Sequence, residues 1–451
     1  MQRVLFAKVE TWVVLLVAIL GILGSIAFGV TVLDGTKGAK RFGMLSKAAL
    51  FLAEMPKTIQ TALKAGDRMQ AGDWGHFDGK PTGWTPRSGR MPEIDGYLLQ
   101  SRYDGTRHRH VIELISMQTW KVRHTWVTDA ERMNEGFERA SRFTEATNWN
   151  SQFYRAIHPF LTADGGLIIK DHTAPLLRLD PCGRRKWIVN GKLFHHSTEA
   201  DADGNLWVPS IVEPTRIENA SDELFEDEIV EVGAGGSIKY QKSVASILMD
   251  HHLNHLLFTN GRYVADPVHL NDIQPVLVDG PYWKRGDLFL SLRNISAIML
   301  YRPSTDQIVW MKQGPWISQH DVDILDDHRI SVYDNHAEDR GQGPFVETNS
   351  HIVAYDFATD SVSEILPKVM AGEQIRTLAA GLYTALPGGY HMIEDVTDAQ
   401  FLIAGPGDRV AAEFMNRAAD GKVYQLGWSR FVDTATAEAA LSKIEGTDCN
   451  E

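Results

Sequence analysis

Short apolar runs that return at a near-constant spacing constrain this chain more than any other feature. Residues 286–292 (GDLFLSL), 297–301 (AIMLY) and 308–310 (IVW) form one clear unit: a Gly-Asp turn, a strand, a second strand, and a third ending at Trp310. The same texture starts at Gly96, Gly166, Gly204, His328 and Gly389. In the tidy cases the unit starts lie about 40 residues apart, the length a four-stranded propeller blade needs. One such blade cannot bury both of its faces. Stacking blades around an axis and closing the ring covers them. The expected fold is therefore all-β, a six-bladed β-propeller over 91–434 with a C-terminal tail at 435–451.

Two insertions, 128–161 and 243–258, read as helical. In the first, Met133, Phe137, Ala140 and Phe143 share a stripe. The stretch 218–231 is dense in Asp and Glu and reads as a solvated loop.

Ahead of the propeller, residues 11–33 (TWVVLLVAILGILGSIAFGVTVL) carry no charge. That is about the 20 apolar residues that cross a bilayer, and it exceeds the apolar core of a cleaved signal peptide. The expectation is a single-pass anchor over 1–34. A linker over 35–90 follows, helical from 44 to 64 with Pro56 kinking or splitting it, then irregular and packed on the main domain. Arg3 and Lys8 precede the segment, while Lys37, Lys40, Arg41 and Lys47 follow it. By the positive-inside rule that asymmetry favours a cytoplasmic domain, although large domains translocate regardless of charge.

The net charge of −13 argues against a nucleic-acid partner. A local cluster of His and Arg can still hold an anion, because screening confines the distant acidic surface to a Debye length of about 8 Å. Only two cysteines are present, which excludes a disulfide framework and a thiolate zinc site. Cys449 lies in the polar tail, so the two are not expected to pair.

Four places carry candidate chemistry. His195 and His196 precede a hairpin whose turn is Asp203-Gly204. His269 and Asn271 open a strand, and Arg293 closes an otherwise apolar one, where a charge needs a partner or a ligand. Gln319 and His320 precede another strand. Equivalent positions in successive blades converge at one end of a propeller's axis, so these residues are expected to meet. His251 and His255 have metal-site spacing but lack the Glu of a metalloprotease helix. Asp201 and Asp203 lack the ligand ladder of a calcium loop. No Walker loop and no dinucleotide fingerprint is present, so no cofactor, nucleotide or metal is expected. A quinone-dependent dehydrogenase propeller fits less well, because no regular tryptophan series follows Trp187 and Trp310.

The segments HHSTEADADGNLWV (195–208), DPVHLNDI (266–273), GDLFLSLRNISAIMLY (286–301), ISQHDVDIL (317–325) and SVYDN (331–335) resemble, in order, the motifs of the bacterial arylsulfotransferases that work without a nucleotide donor. GGYHMIED (388–395), GDRVAAEFMN (407–416) and GWSRFV (427–432) resemble that family's last blade. The resemblance implies that His320 becomes sulfated. It further implies that His269, Arg293 and His196 bind the sulfuryl group and assist its transfer; His195, Asn271 and Gln319 are expected to bind substrate beside them, with the Asn271 and Gln319 amides orienting the imidazoles. The partners it implies are a small aryl sulfate donor and a phenolic acceptor, and it places the catalytic domain outside the cytoplasm. The family's N-terminal β-sandwich is absent, and no partners for the disulfide of some members are evident. The competing reading is a membrane-tethered propeller that binds without catalysing. Sulfate transfer by the intact chain compared with His320→Ala separates the two.

Overall fold

The computed structural model describes residues 10–36, 39, 41–63, 69, 79–137, 141–144, 146–258, 261, 263–396 and 398–449. The chain divides into two compact units, 1–68 and 69–451.

In the first unit an uninterrupted helix, Thr11–Gly35, is long and apolar enough to cross a membrane. A second helix, Met44–Leu63, continues through Pro56 rather than splitting there. The Asp34 carboxylate holds the turn between them, accepting from the backbone amides of Arg41 and Phe42 and from Ser46 Oγ. Gly35 is needed at this turn, because a Cβ would stand 2.8 Å from the Ser46 carbonyl. Met44, Leu45, Phe51, Leu52 and Met55 remain exposed on the second helix. The parts of the expected linker at 64–68 and 70–78 lie outside the described residues.

The second unit is the six-bladed propeller. Four blades are continuous antiparallel sheets within residues 160–188, 199–243, 270–313 and 322–365. A fifth, within 381–415, gains an extra outer strand from Gly83–Pro86, which pairs with Arg409–Met415. Part of the expected irregular linker is thus a strand that covers an exposed sheet edge. The remaining blade closes the ring. Its innermost strand is Arg430–Val432, which pairs with Tyr97–Asp104 from the other end of the domain.

Apolar alternation in each strand fills six separate cores, one between each pair of neighbouring blades. Leu98 and Ile115 meet Leu382 and Phe401 across the closure, and Leu290 and Met299 meet Ile229 and Trp207 three blades on.

Three expectations need correction. The insertion at 128–161 holds only two short helical turns among its described residues, Ala130–Met133 and Ala146–Trp149. The other, at 243–258, is helical, with Ser243 capping Val244–Asp250. The acidic stretch is a solvated loop only in its first part, where Glu218, Asp222 and Glu223 are exposed; Glu226–Val232 is a strand, with Glu226, Asp227 and Glu228 all buried. Glu226 accepts from Thr215 Oγ1 and the Arg216 amide, and Glu228 pairs with Lys192, so partners inside the fold replace water. Finally, Cys182 and Cys449 form a disulfide across 267 residues. The helix Thr434–Glu445 packs Ala437, Ala440 and Leu441 against the first two blades and carries the tail back to Cys182.

Candidate active site

Every innermost strand is approached through a residue with left-handed backbone: His158, His196, His269, Ser318, Ala380 and Trp428, with φ between 47° and 61°. None is glycine, so each turn carries strain of about 1–2 kcal/mol. Such strain persists where the surrounding structure fixes it, and it gathers at functional sites. The repeated turn brings the residues before the innermost strands to one end of the axis. Three of the six are histidines, and His320 follows Ser318 by two.

His196 is the hub. Its ring centroid lies 4.5 Å from His172, 5.1 Å from His195, 5.1 Å from His269, 6.0 Å from His320 and 6.2 Å from Trp428. The Trp428 ring also stands 6.3 Å from His320. Lys170, itself fully buried, donates to the His196 carbonyl at 2.5 Å and to Thr198 Oγ1 at 2.8 Å, which fixes the hub's main chain.

Each imidazole has a distinct setting. His320 is buried, and its Nδ1 meets Asn335 Oδ1 at 2.7 Å. The Asn335 amide is oriented by its own Nδ2, which donates to the Thr377 carbonyl at 3.0 Å. The atom facing His320 is therefore the amide oxygen, so Nδ1 carries the hydrogen and Nε2 holds the lone pair. Burial, and next the Arg293 guanidinium, hold His320 well below the ordinary imidazole range. His269 is part-exposed, and its Nδ1 pairs with Asp266 Oδ2. His195 is 2% exposed and sits behind His196, with the two Nδ1 atoms 2.9 Å apart. Burial pulls His195 down to about 3, and it also holds His196 and His172 well below normal.

Arg293 donates Nη1 to Asn294 Oδ1 at 2.8 Å, and its amide donates to the His269 carbonyl at 3.1 Å. Its Nε is buried without a hydrogen-bond partner, and among the described residues the guanidinium makes no ion pair. A cation held this way beside neutral imidazoles is arranged to receive an anion.

The structure thus gathers His196, His269, His320 and Arg293 at one end of the ring. Asn271 and Gln319 are placed differently from an imidazole-orienting role. Both are fully buried: Asn271 Nδ2 donates to the Gln319 carbonyl at 2.9 Å, and Gln319 Nε2 donates to the Ala297 carbonyl at 2.9 Å. They tie neighbouring blades together, while Asn335 and Asp266 orient the imidazoles. His172, Trp428, Asp266 and Phe225 also belong to the site, and motif reading did not single them out. Trp428 and His158 could have been found by asking which residue stands just before each innermost strand. Half-buried Phe225 stacks on His269 at 6.5 Å and lies edge-on to His195 and Phe143. Away from this site, His251 Nδ1 bonds to the Ile247 carbonyl at the end of the helix Val244–Asp250. Asp201 accepts from the amides of Asp203 and Asn205, as a hairpin turn requires.

Fold and site together define a closed propeller whose axis ends in a cluster of histidines beside Arg293. A family model for arylsulfotransferases (ASST) matches residues 158–416, more than half of the sequence. The chain belongs to this arylsulfotransferase family, for which aryl sulfotransfer is the family-level chemistry. No curated protein matches. Among solved structures, a protein of unknown function from Bacteroides caccae aligns at a TM-score of 0.46 and 11% identity, covering 75% of this chain and 99% of that one. A catalytically inactive variant of virginiamycin B lyase from Staphylococcus aureus, solved with quinupristin, aligns at 0.39 and 10% identity, covering 76% and 98%. The hydrazine synthase of Kuenenia stuttgartiensis aligns at 0.38 and 11% identity, covering 72% and 80%.

Proposed function

We propose that this chain moves a sulfuryl group from an aryl sulfate to a phenolic acceptor through a covalent sulfo-imidazole on His320. The observation that carries the reading is the lock on His320: Asn335 keeps hydrogen on Nδ1, so Nε2 holds the lone pair for attack in a site that also holds Arg293. Burial keeps the ring neutral at pH values where an ordinary imidazole is partly protonated. A covalent intermediate divides one hard step into two and gives ping-pong kinetics.

The moving group is planar and loose in the transition state, with charge on its peripheral oxygens. Arg293 takes those oxygens with a planar fork. His269, oriented by Asp266, and His196 supply further N–H donors. The aryl ring rests against Phe225. The chain's own groups carry the whole reaction, with no nucleotide, metal or other cofactor.

The helix Thr11–Gly35 anchors the protein in a membrane, and the propeller works outside the cytoplasm. The disulfide supports that side, since such bonds persist in oxidising compartments. Protease accessibility in intact cells against spheroplasts tests it.

The test of the reaction uses the full chain in detergent with 4-nitrophenyl sulfate and phenol. With donor alone, the His320 peptide gains the mass of one sulfuryl group, and phenol discharges it. His320→Ala abolishes both adduct and transfer. Transfer that persists in His320→Ala, or proceeds without any adduct, overturns the reading.

A further inference from the structure

The acidic strand sends one carboxyl toward the site, and it has no cation. Asp227 is 1% exposed, and its Oδ1 stands 3.2 Å from Nε2 of His195. The approach is off the ideal ring direction and does not make a formed hydrogen bond, and backbone groups compete at both ends: the Leu270 and His269 amides beside the Asp227 carboxyl, the Ser210 carbonyl beside His195. His195 Nδ1 in turn meets His196 Nδ1 at 2.9 Å. That leaves His196 Nε2 as the nitrogen available to the site, on a ring that neighbours both His269 and His320. The three groups form a line from a buried carboxyl to the reacting centre.

We propose that Asp227, His195 and His196 form a proton relay that protonates the leaving aryl oxygen and recovers the proton from the incoming acceptor. This deepens the sulfotransfer reading and rests on it.

The argument is one of charge. His196 is buried among other imidazoles and cannot hold a positive charge cheaply. It can give up its Nε2 proton only if another arrives at Nδ1 in the same event. The Asp227 carboxyl supplies it. Burial, then the neighbouring Asp266, push Asp227 up to about 8, with His269 pulling the other way, so the resting carboxyl is protonated. His195, facing His269, Lys170 and Asp266, stays neutral.

In the first half-reaction the S–O bond of the aryl sulfate breaks and the His320 Nε2–S bond forms. The aryl oxygen leaves with the bonding pair and takes the proton of His196 Nε2. His196 Nδ1 takes the proton of His195 Nδ1, and His195 Nε2 takes that of the Asp227 carboxyl. The products are a neutral phenol, a zwitterionic sulfo-imidazolium whose Nδ1–H stays on Asn335, and an Asp227 carboxylate. One negative charge stands on each side of the equation. In the second half-reaction the acceptor oxygen attacks sulfur, the N–S bond breaks, and the acceptor's proton returns along the same line to Asp227.

The test is the leaving-group dependence of the first half-reaction in Asp227→Asn. Asparagine keeps the size of the side chain but has no proton to pass on. Phenyl sulfate, whose phenolate needs a proton to leave, should slow by about 10²-fold, within the range for general-acid catalysis. 4-Nitrophenyl sulfate, whose phenolate leaves unaided, should change by less than about threefold. Asp227→Glu should restore part of the loss, and His195→Asn should show the same donor selectivity by breaking the line in its middle. If Asp227→Asn does not fold, His195→Asn decides the question. Equal losses on both donors, or no loss, overturn the relay. A wild-type chain that never sulfates His320 overturns the sulfotransfer reading itself, whereas a sulfated wild type with an unchanged donor dependence in the variants overturns only the relay.

Discussion

Asn335 shows how one uncharged side chain can set the chemistry of another. Neutral imidazole can carry its hydrogen on either nitrogen, and only one arrangement leaves Nε2 free to attack. The double contact, Thr377 carbonyl to Nδ2 and Oδ1 to His320, selects that arrangement. Asn335→Leu should therefore lower turnover on the order of 10²-fold, while the adduct, once formed, still sits on His320. Arg293→Gln should cost about 10²–10³-fold, the usual loss of one transition-state donor. It should also leave a mark that a purely structural change would not. Arg293 helps hold His320 below the ordinary imidazole range, so removing it lets that pKa rise. The acid limb of the kcat/KM profile then moves to higher pH. An unmoved acid limb would separate Arg293 from His320. His195, His196, His269, His320 and Arg293 were legible because each interrupts an apolar strand or sits beside one at a recurring place. Asp227 was hidden, because a carboxylate beside other carboxylates looks like a solvated run until the fold supplies its partners.

The same distinction holds for elements. Strands bounded by a Gly-Asp turn, as at 286–292, announce themselves through alternation. Glu226–Val232 does not, because its first three residues are acidic and the cues for a strand begin only at Ile229. Gly83–Pro86 is equally silent: four residues carry too little pattern, and only the free edge of Arg409–Met415 makes them a strand. The disulfide could not be read from spacing, because its partners are brought together by ring closure across 267 residues. Its effect follows from that distance. The bond ties the tail beyond the ring-closing strand to the second blade, so it limits how far an opened ring can separate. In the chain-entropy account a loop of this length is worth about 5.6 kcal/mol, and measured bonds deliver roughly 2–5. Cys182→Ser should lower the melting midpoint by several degrees. The transfer rate at low temperature should stay within about twofold, because Cys182 lies outside the site. A variant that melts like the wild type would show that Arg430–Val432 closes the ring unaided.

At the scale of the molecule, the propeller arranges a polar axis inside apolar interblade cores, and this gives its stability an unusual pH dependence. His110 and His195 are pulled from about 6.5 in an unfolded chain to about 3 by burial. In the opposite sense, burial pushes Asp227 up to about 8, Asp272 to about 7 and Glu394 to about 7. The signs follow from which state binds more protons. Below 6.5 the unfolded histidines take up protons that the folded ones refuse, so their contribution falls as pH drops toward 3. Above about 4 the unfolded carboxyls release protons that the folded ones keep, so theirs falls as pH rises toward 8. Between about 4 and 6.5 the two trends oppose each other, above 6.5 only the carboxyl loss remains, and below 4 only the histidine loss does. The melting midpoint of the detergent-solubilised protein should therefore peak on the acidic side of neutrality and decline toward both pH 3 and pH 8. Glu394→Gln should flatten the alkaline decline. Glu394 accepts the amides of Trp428 and Ser429, which a glutamine oxygen can also do in part, so the fold is kept while the titration is removed. A midpoint still rising at pH 8 would mean that the axial carboxyls are ionised in the folded protein. In that case the proton assigned to Asp227 would not be there to pass on.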